Sequence, residues 1–143
     1  MFHIAFVEDN PSEILLTRVT CEDLGFLEDE KVSFFEDEIS LYETLKSKQV
    51  TFDLIFLDVN IGNTSGFDVL KKLKKQKIKI PIFMYSNSNN SMDLSRSKML
   101  QAEGYFQKPY DYETMKKMIQ TIRTNLNNKT IDLLIAHRYN LLL

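Results

Sequence analysis

Short apolar runs and longer mixed segments alternate along the chain, and most of the apolar runs stop at an acidic or polar residue. Residues 2–7 form the first run, ended by Glu8-Asp9-Asn10-Pro11. Its length and Phe/Ile/Val content predict a buried strand. Pro11 suits the first turn of a helix, and Glu13 places negative charge near the positive end of its dipole. Leu16, Thr20, Cys21 and Leu24 then form the inward face, and Gly25 closes the helix. Residues 32–35 predict a second strand, and residues 37–48 a helix with Leu41, Tyr42 and Leu45 at core spacing. Residues 54–57 give a third strand that stops at Asp58. Residues 59–66, rich in Asn, Gly, Ser and Thr, read as a loop. Phe67, Leu70 and Leu73 mark the next helix, and residues 81–85 a fourth strand running into Ser86-Asn87-Ser88-Asn89-Asn90. Residues 92–102 predict a fourth helix with a thin apolar stripe, and residues 104–107 a fifth strand before Lys108-Pro109. Met115, Met118, Ile119, Ile122 and Leu126 share one face of a last long helix.

Five strand–helix alternations, with connections too long for hairpins, predict an α/β fold: a doubly wound parallel sheet with helices on both faces. Ligands of such sheets sit beyond the carboxyl ends of the strands. This sequence puts Glu8 and Asp9, Asp58, Ser86 and Lys108 at those ends. Gathered carboxylates repel, by about 4 kcal/mol per pair at 4 Å and an effective dielectric near 20. A bound cation relieves this, and hard oxygen donors select Mg²⁺ or Mn²⁺ over Zn²⁺. A carboxylate nucleophile, a divalent ion, a lysine and a hydroxyl together suit the formation and holding of an aspartyl phosphate.

Composition narrows the classes. The 143 residues suffice for one core, and 43% hydrophobic with 27% charged residues is ordinary for a globular protein. The single cysteine, Cys21, leaves no internal disulfide framework. Neither a signal peptide nor an apolar stretch of the roughly 20 residues needed to span a bilayer is present, so the expectation is a cytoplasmic protein without membrane contact. Net charge is −2, and the lysines of residues 71–79 are spaced as the wet face of the third helix, so nucleic acid is not expected as a partner. His3 and His137 are isolated and read as packing or surface residues.

Glu8-Asp9, Asp58, Ser86 and Lys108-Pro109, at these spacings, resemble the two-component response-regulator receiver (CheY-like) family over about residues 2–126. The resemblance implies a flavodoxin-like sheet of strand order 2-1-3-4-5. It implies Asp58 as phosphoacceptor, with Asp9 as direct metal ligand and Glu8 as the acid that reaches the metal through water. The Asn60 backbone carbonyl would complete the metal shell. Ser86 and Lys108 would bind the phosphoryl group, Tyr105 would be the aromatic that reorients, and the Lys108–Pro109 peptide would be cis. Four positions depart from the family pattern. Glu8 stands for the common Asp, Gly62 for a proline, Asn87 for a small residue beside the site, and Gln101 for a glycine after the fourth helix.

The resulting expectation is a stand-alone receiver over residues 1–127 with an extension over 128–143. Thr130 would cap a short helix there, carrying Ile131, Leu134 and Ile135, with Leu141, Leu142 and Leu143 beyond. Such a protein is not a classical enzyme. It accepts a phosphoryl group from a sensor histidine kinase or phosphotransfer protein, with Mg²⁺, and resets by slow hydrolysis. It signals to a downstream protein through helix four, strand five and helix five, and that surface or the tail could also form a homodimer contact. Two rivals are a constitutive interaction module, favoured by Asn87 and Gly62, and a phosphatase. The phosphatase is disfavoured because Asn60 lacks the second carboxylate that such an enzyme commonly needs two residues beyond the nucleophile.

Overall fold

A computed structural model of the chain describes residues 2–88 and 90–136, the side chains of 134–136 excepted. Asn89, His137, residues 141–143 and the side chains of Leu134 and Ile135, which carried sequence expectations, lie outside the described residues. The elements in order are β1 (Phe2–Val7), α1 (Pro11–Asp23), β2 (Glu30–Phe35), α2 (Glu38–Ser47), β3 (Leu54–Asp58), β4 (Asn60–Ile61), β5 (Thr64–Ser65), α3 (Gly66–Lys75), β6 (Ile82–Ser86), α4 (Ser91–Met99), β7 (Gly104–Gln107), α5 (Tyr112–Asn127) and α6 (Ile131–Ala136). The five long strands form one parallel sheet of order β2-β1-β3-β6-β7, which is the predicted doubly wound order.

Residues 59–66 are not the loop that their composition predicted. β4 and β5 pair antiparallel around Gly62 and Asn63, with Gly62 at φ +57°. Val59 and Ile61 bury their side chains, and this anchors a segment whose other residues are Asn, Gly, Thr and Ser.

Strand alternation splits the core into two layers. Ala5, Val7, Ile55, Leu57, Ile82, Met84 and Tyr105 pack with Leu41 of α2 and with Phe67, Val69, Leu70 and Leu73 of α3. Phe6, Phe56, Phe83 and Phe106 face the other way, against Met115, Met118, Ile119 and Ile122 of α5 and Cys21 of α1. Phe6 and Phe56 stack at 4.8 Å, and Phe106 meets Phe83 at 5.1 Å and Phe56 at 5.3 Å. The buried face of α1 holds Ile14, Thr17, Thr20 and Cys21, with Leu16 and Leu24 half-buried. The threonine hydroxyls donate to the carbonyls of Glu13 and Leu16, so these polar groups are buried without loss of hydrogen bonding.

Asn10, Asp37, Ser65, Asn90 and Asp111 cap the N-termini of α1 to α5 with their side chains. Gln101, where the family pattern has glycine, takes the left-handed conformation at φ 65°, as do Lys48, Lys77 and Lys129 after other helices. A non-glycine residue accepts this at about 1–2 kcal/mol. Thr130 directly precedes α6; its hydroxyl donates to the carbonyl and side-chain oxygens of Asn125, and its carbonyl accepts the Leu133 N–H. On α3, Lys74 pairs with Glu103 at 2.7 Å and Lys72 lies over the Tyr42 ring at 4.2 Å, consistent with a solvated face. Among the described residues no helix is long and apolar enough to cross a membrane.

Glu30, at the start of β2, ties this end of the molecule together. Its carboxylate accepts from Arg123 Nε (2.8 Å) and Nη2 (2.7 Å), from Asn127 (2.8 Å) and from the Leu27 N–H (2.8 Å). Arg123 also donates to the carbonyls of Leu24 and Gly25, so one fork joins α1, β2 and α5. The Arg123 hydrogen bonds hold the Glu30 carboxyl down at about 2, against an ordinary 4.5. Because the folded value lies below the unfolded one, the contribution is full above pH 4.5 and is lost as pH falls from there towards 2. A shift of this size corresponds to about 3 kcal/mol. Urea unfolding of wild type and Glu30→Gln between pH 7 and 2.5 tests this: the stability gap should be widest at neutral pH and close towards acid, and a gap independent of pH would contradict it.

Candidate functional site

The sheet register builds the site. Val7 of β1 pairs with Leu57 of β3, so the next residues, Glu8 and Asp58, emerge side by side at the carboxyl edge. Asp58 is level with Tyr85 of β6, and Ser86 is level with Gln107 of β7, which delivers Lys108 one residue later. The Lys108 N–H donates to the Ser86 carbonyl at 2.6 Å and fixes where its side chain starts. β2 and β3 flank β1 on opposite sides, so the crevice lies where the chain reverses its winding.

The Lys108 ammonium is the centre of the arrangement. Its Nζ donates to Glu8 Oε1 at 2.7 Å, Glu13 Oε2 at 2.6 Å and Asp58 Oδ2 at 2.8 Å. Glu8, Asp58 and Lys108 are buried, and Glu13 is partly so. Glu8 Oε2 also accepts the Asp9 N–H, and Asp58 Oδ1 the Asn60 N–H, both at 3.1 Å. The Tyr85 ring lies 5.5 Å from Nζ, and burial, reinforced by the charges of Glu13 and Asp58, pushes its phenol far up.

Of the residues singled out in the sequence, Glu8, Asp58 and Lys108 are brought into direct contact. Asp9 is exposed, and its Oδ2 accepts the Gly62 N–H at 2.9 Å. Gly62 thus ties the β4–β5 turn to the acidic edge. Asn60 lies beside Asp58 through its N–H. Ser86 is buried, its hydroxyl accepting the Ser88 N–H at 3.2 Å. Asn87 is exposed, with its carbonyl 3.5 Å from the Gln107 side-chain amide. Tyr105 points inward in the α3-side core layer, donates its hydroxyl to the Ser88 carbonyl, and has its phenol pushed up by burial. The Lys108–Pro109 peptide is trans, against the cis form that the family resemblance implied, and no described peptide bond is cis.

Sequence reading missed Glu13 as a site residue, having given it only the helix dipole. Its position carried a usable signal. Asn10 is the N-cap and Glu13 stands three residues on, and side chains there lean back towards the helix start. It missed Gly66 as well. A Cβ on Gly66 would stand 1.9 Å from the Asp58 carbonyl oxygen and 3.0 Å from the Val59 Cα, while the Gly66 N–H donates to the Val59 carbonyl at 2.7 Å. The start of α3 therefore lies directly against the backbone of Asp58.

One oxygen from each of Glu8, Glu13 and Asp58 lies within 4.8 Å of the others. Such hard anionic donors fit Mg²⁺ or Mn²⁺. A groove of about 860 Å³ at the opposite end, lined by Phe52, Ile78, Ile80 and Pro81 among others, offers no comparable chemistry.

A family model described as "Response regulator receiver domain" matches residues 4–120. The chain belongs to this family. CiaR, a transcriptional regulatory protein of Streptococcus pneumoniae, is 31% identical to this receiver over 99 residues, which cover 68% of the chain and 43% of CiaR. LytR, a sensory transduction protein of Staphylococcus haemolyticus, is 29% identical over 90 residues, covering 62% and 34%. The receiver thus spans less than half the length of these relatives. Among solved structures, the chemotaxis response regulator CheY4 of Vibrio cholerae has a TM-score of 0.65 at 26% identity, covering 85% of this chain and 98% of that one. The Mn²⁺-bound response regulator Rcp1 has a TM-score of 0.73 at 24% identity, covering 87% and 93%, and shares the fold.

Gly66→Ala should lower stability by about 1–3 kcal/mol, because only backbone can move to admit the methyl. It should also shift the Asp58 and Val59 amide resonances; chemical denaturation with amide NMR checks both, and unchanged resonances at these two positions would refute the close approach.

Proposed function

We propose that this receiver accepts a phosphoryl group on Asp58 from the phosphohistidine of a sensor kinase or phosphotransfer protein, and passes the change to a downstream protein. The observation that carries this reading is the buried contact of Asp58 with Lys108 at the carboxyl edge, beside Glu8.

Asp58 Oδ1 or Oδ2 attacks phosphorus as the P–N bond of the donor breaks. The imidazole nitrogen leaves with the bond electrons and ends protonated. Lys108 is placed to follow the charge from the carboxylate to a phosphoryl oxygen, and the Ser86 hydroxyl, which accepts from the Ser88 N–H, keeps its own hydrogen to donate to another. Resetting is hydrolysis: water attacks phosphorus, the bond to Asp58 breaks, and carboxylate and inorganic phosphate are formed. Mg²⁺, or Mn²⁺, would neutralise the carboxylates and the transferring oxygens. Glu8, Asp58, Asp9 and the Asn60 carbonyl are the proposed holders, with Asp9 leaving Gly62 to take part.

The outgoing signal would use α4, β7 and α5. Met92 and Met99 on α4 and Tyr110 before α5 are all highly exposed, whereas Tyr105 would act from inside. Two charge-assisted bonds, from Ser86 and Lys108, supply about 1.5–3 kcal/mol each. Moving a switch from 1:99 to 99:1 takes about 5.5 kcal/mol, so the response ranges from graded to nearly complete.

Intact mass after incubation with Mg²⁺ and acetyl phosphate, or with a panel of phosphorylated histidine kinases, should show one added phosphoryl group. The adduct should be lost in Asp58→Ala and without divalent metal. Failure with every donor would favour a phosphorylation-independent interaction module.

A further inference from the structure

The Lys108 ammonium has three N–H bonds, and all three are taken by carboxylates. Asp58 gives up its own bond as it takes the phosphoryl group, and Lys108 can turn fully towards the phosphoryl oxygens only when a further carboxylate lets go. The three are not equally held. Glu8 and Asp58 follow their strands directly, and each keeps a second bond from a backbone N–H. Their side chains are only 4% and 8% exposed. Glu13 comes from the first turn of α1, its side chain is 28% exposed, and among the described residues its carboxylate accepts a hydrogen bond only from Lys108. It can swing into water without unseating a strand or leaving a buried charge alone.

Helix α1 does not depend on this contact. The Asn10 side chain accepts from the Ser12 and Glu13 N–H groups, so the N-terminus stays capped whether the Glu13 side chain points in or out. In a reciprocal capping box the N3 acid reaches back to the cap residue's own N–H. Here it crosses to β7's end, at the shortest of the three distances to Nζ.

We propose that Glu13 is a resting-state clamp on Lys108, whose release frees the ammonium for the phosphoryl group on Asp58. The proposal rests on the phosphoryl-acceptor reading and adds a positioning residue to it. Glu13 opposes the loaded state twice: its carboxylate competes for the Lys108 N–H, and its charge repels the incoming anion. Removing it strengthens anion binding, an outcome that damage to the fold does not produce.

The test is beryllofluoride binding at saturating Mg²⁺, followed by isothermal titration on the full chain. Wild type is compared with Glu13→Gln, Glu13→Ala and Glu13→Asp. Loss of one charge-assisted competitor should tighten binding about tenfold in the Gln and Ala variants. Glu13→Asp keeps the charge but withdraws the oxygen by one methylene, and it should tighten binding as well. Unchanged or weaker binding in the Gln and Ala variants overturns the clamp. So does tightening confined to these two neutral variants, which assigns the effect to charge alone. Wild type that binds no beryllofluoride and takes no phosphoryl group overturns the phosphoryl-acceptor reading itself, and this is seen without any Glu13 variant.

Discussion

The ammonium of Lys108 is buried among three carboxylates, and much of this molecule can be understood from that arrangement. None of the buried charges is tenable alone, since an isolated ion taken from water loses several kcal/mol of solvation even after relaxation. Together they are still unbalanced, with three formal negative charges against one positive. Lysine satisfies the geometry through its three N–H bonds but leaves negative charge over. That remainder is the charge a hard cation at this edge would offset.

The rest of the structure makes such a site affordable. Parallel register sets Glu8 beside Asp58 and resists slipping, because a one-residue slip would drive the Phe6–Phe56 layer into the smaller-residue layer on the other face of the sheet. Gly66 lets α3 start against the Asp58 backbone, and the Gly62 N–H keeps Asp9 at the rim. The other buried acid, Glu30 of β2, is treated differently. Arg123, Asn127 and the Leu27 N–H meet its oxygens, and the pair is balanced. That cluster fastens three elements together; in the proposed function the Lys108 cluster instead exchanges its partners.

The fold was legible in the sequence because each strand is a short apolar run that stops at a polar residue, and the helices carry recognisable caps. Asp58, Glu8 and Lys108 were legible because strand ends in a parallel sheet converge. What escaped depended on distances that spacing does not encode. Residues 59–66 read as a loop since their polar composition hides two buried side chains, Val59 and Ile61, and a two-residue turn at Gly62. Glu13 looked like an ordinary first-turn acid until the tertiary structure brought Lys108 to it. Gly66 gave no sign that its missing Cβ is what the Asp58 carbonyl needs. The cis form at Lys108–Pro109 came from family resemblance alone, and the chain does not adopt it.

Within the proposed function, the route from site to surface follows from how the β6–α4 connection is bonded. The Ser86 hydroxyl accepts from the Ser88 N–H, the Ser88 hydroxyl accepts from the Asn90 N–H, and Asn90 caps α4 through Met92 and Asp93. Tyr105 donates to the Ser88 carbonyl from within the sheet. A Ser86 side chain that rotates to donate to a phosphoryl oxygen would strain its bond from the Ser88 N–H, and Ser88 is held in common by Tyr105 and by Asn90, which caps α4. Helix α4 is the element best suited to respond. Ser97 is its one fully buried residue and Leu94 packs part-buried on the core, while Met92 and Met99 stand in solvent, so less packing resists its displacement than that of α3 or α5. In this proposal a small change in one hydroxyl acts on a lightly buried helix, while the phenylalanine layer beneath keeps the sheet in register.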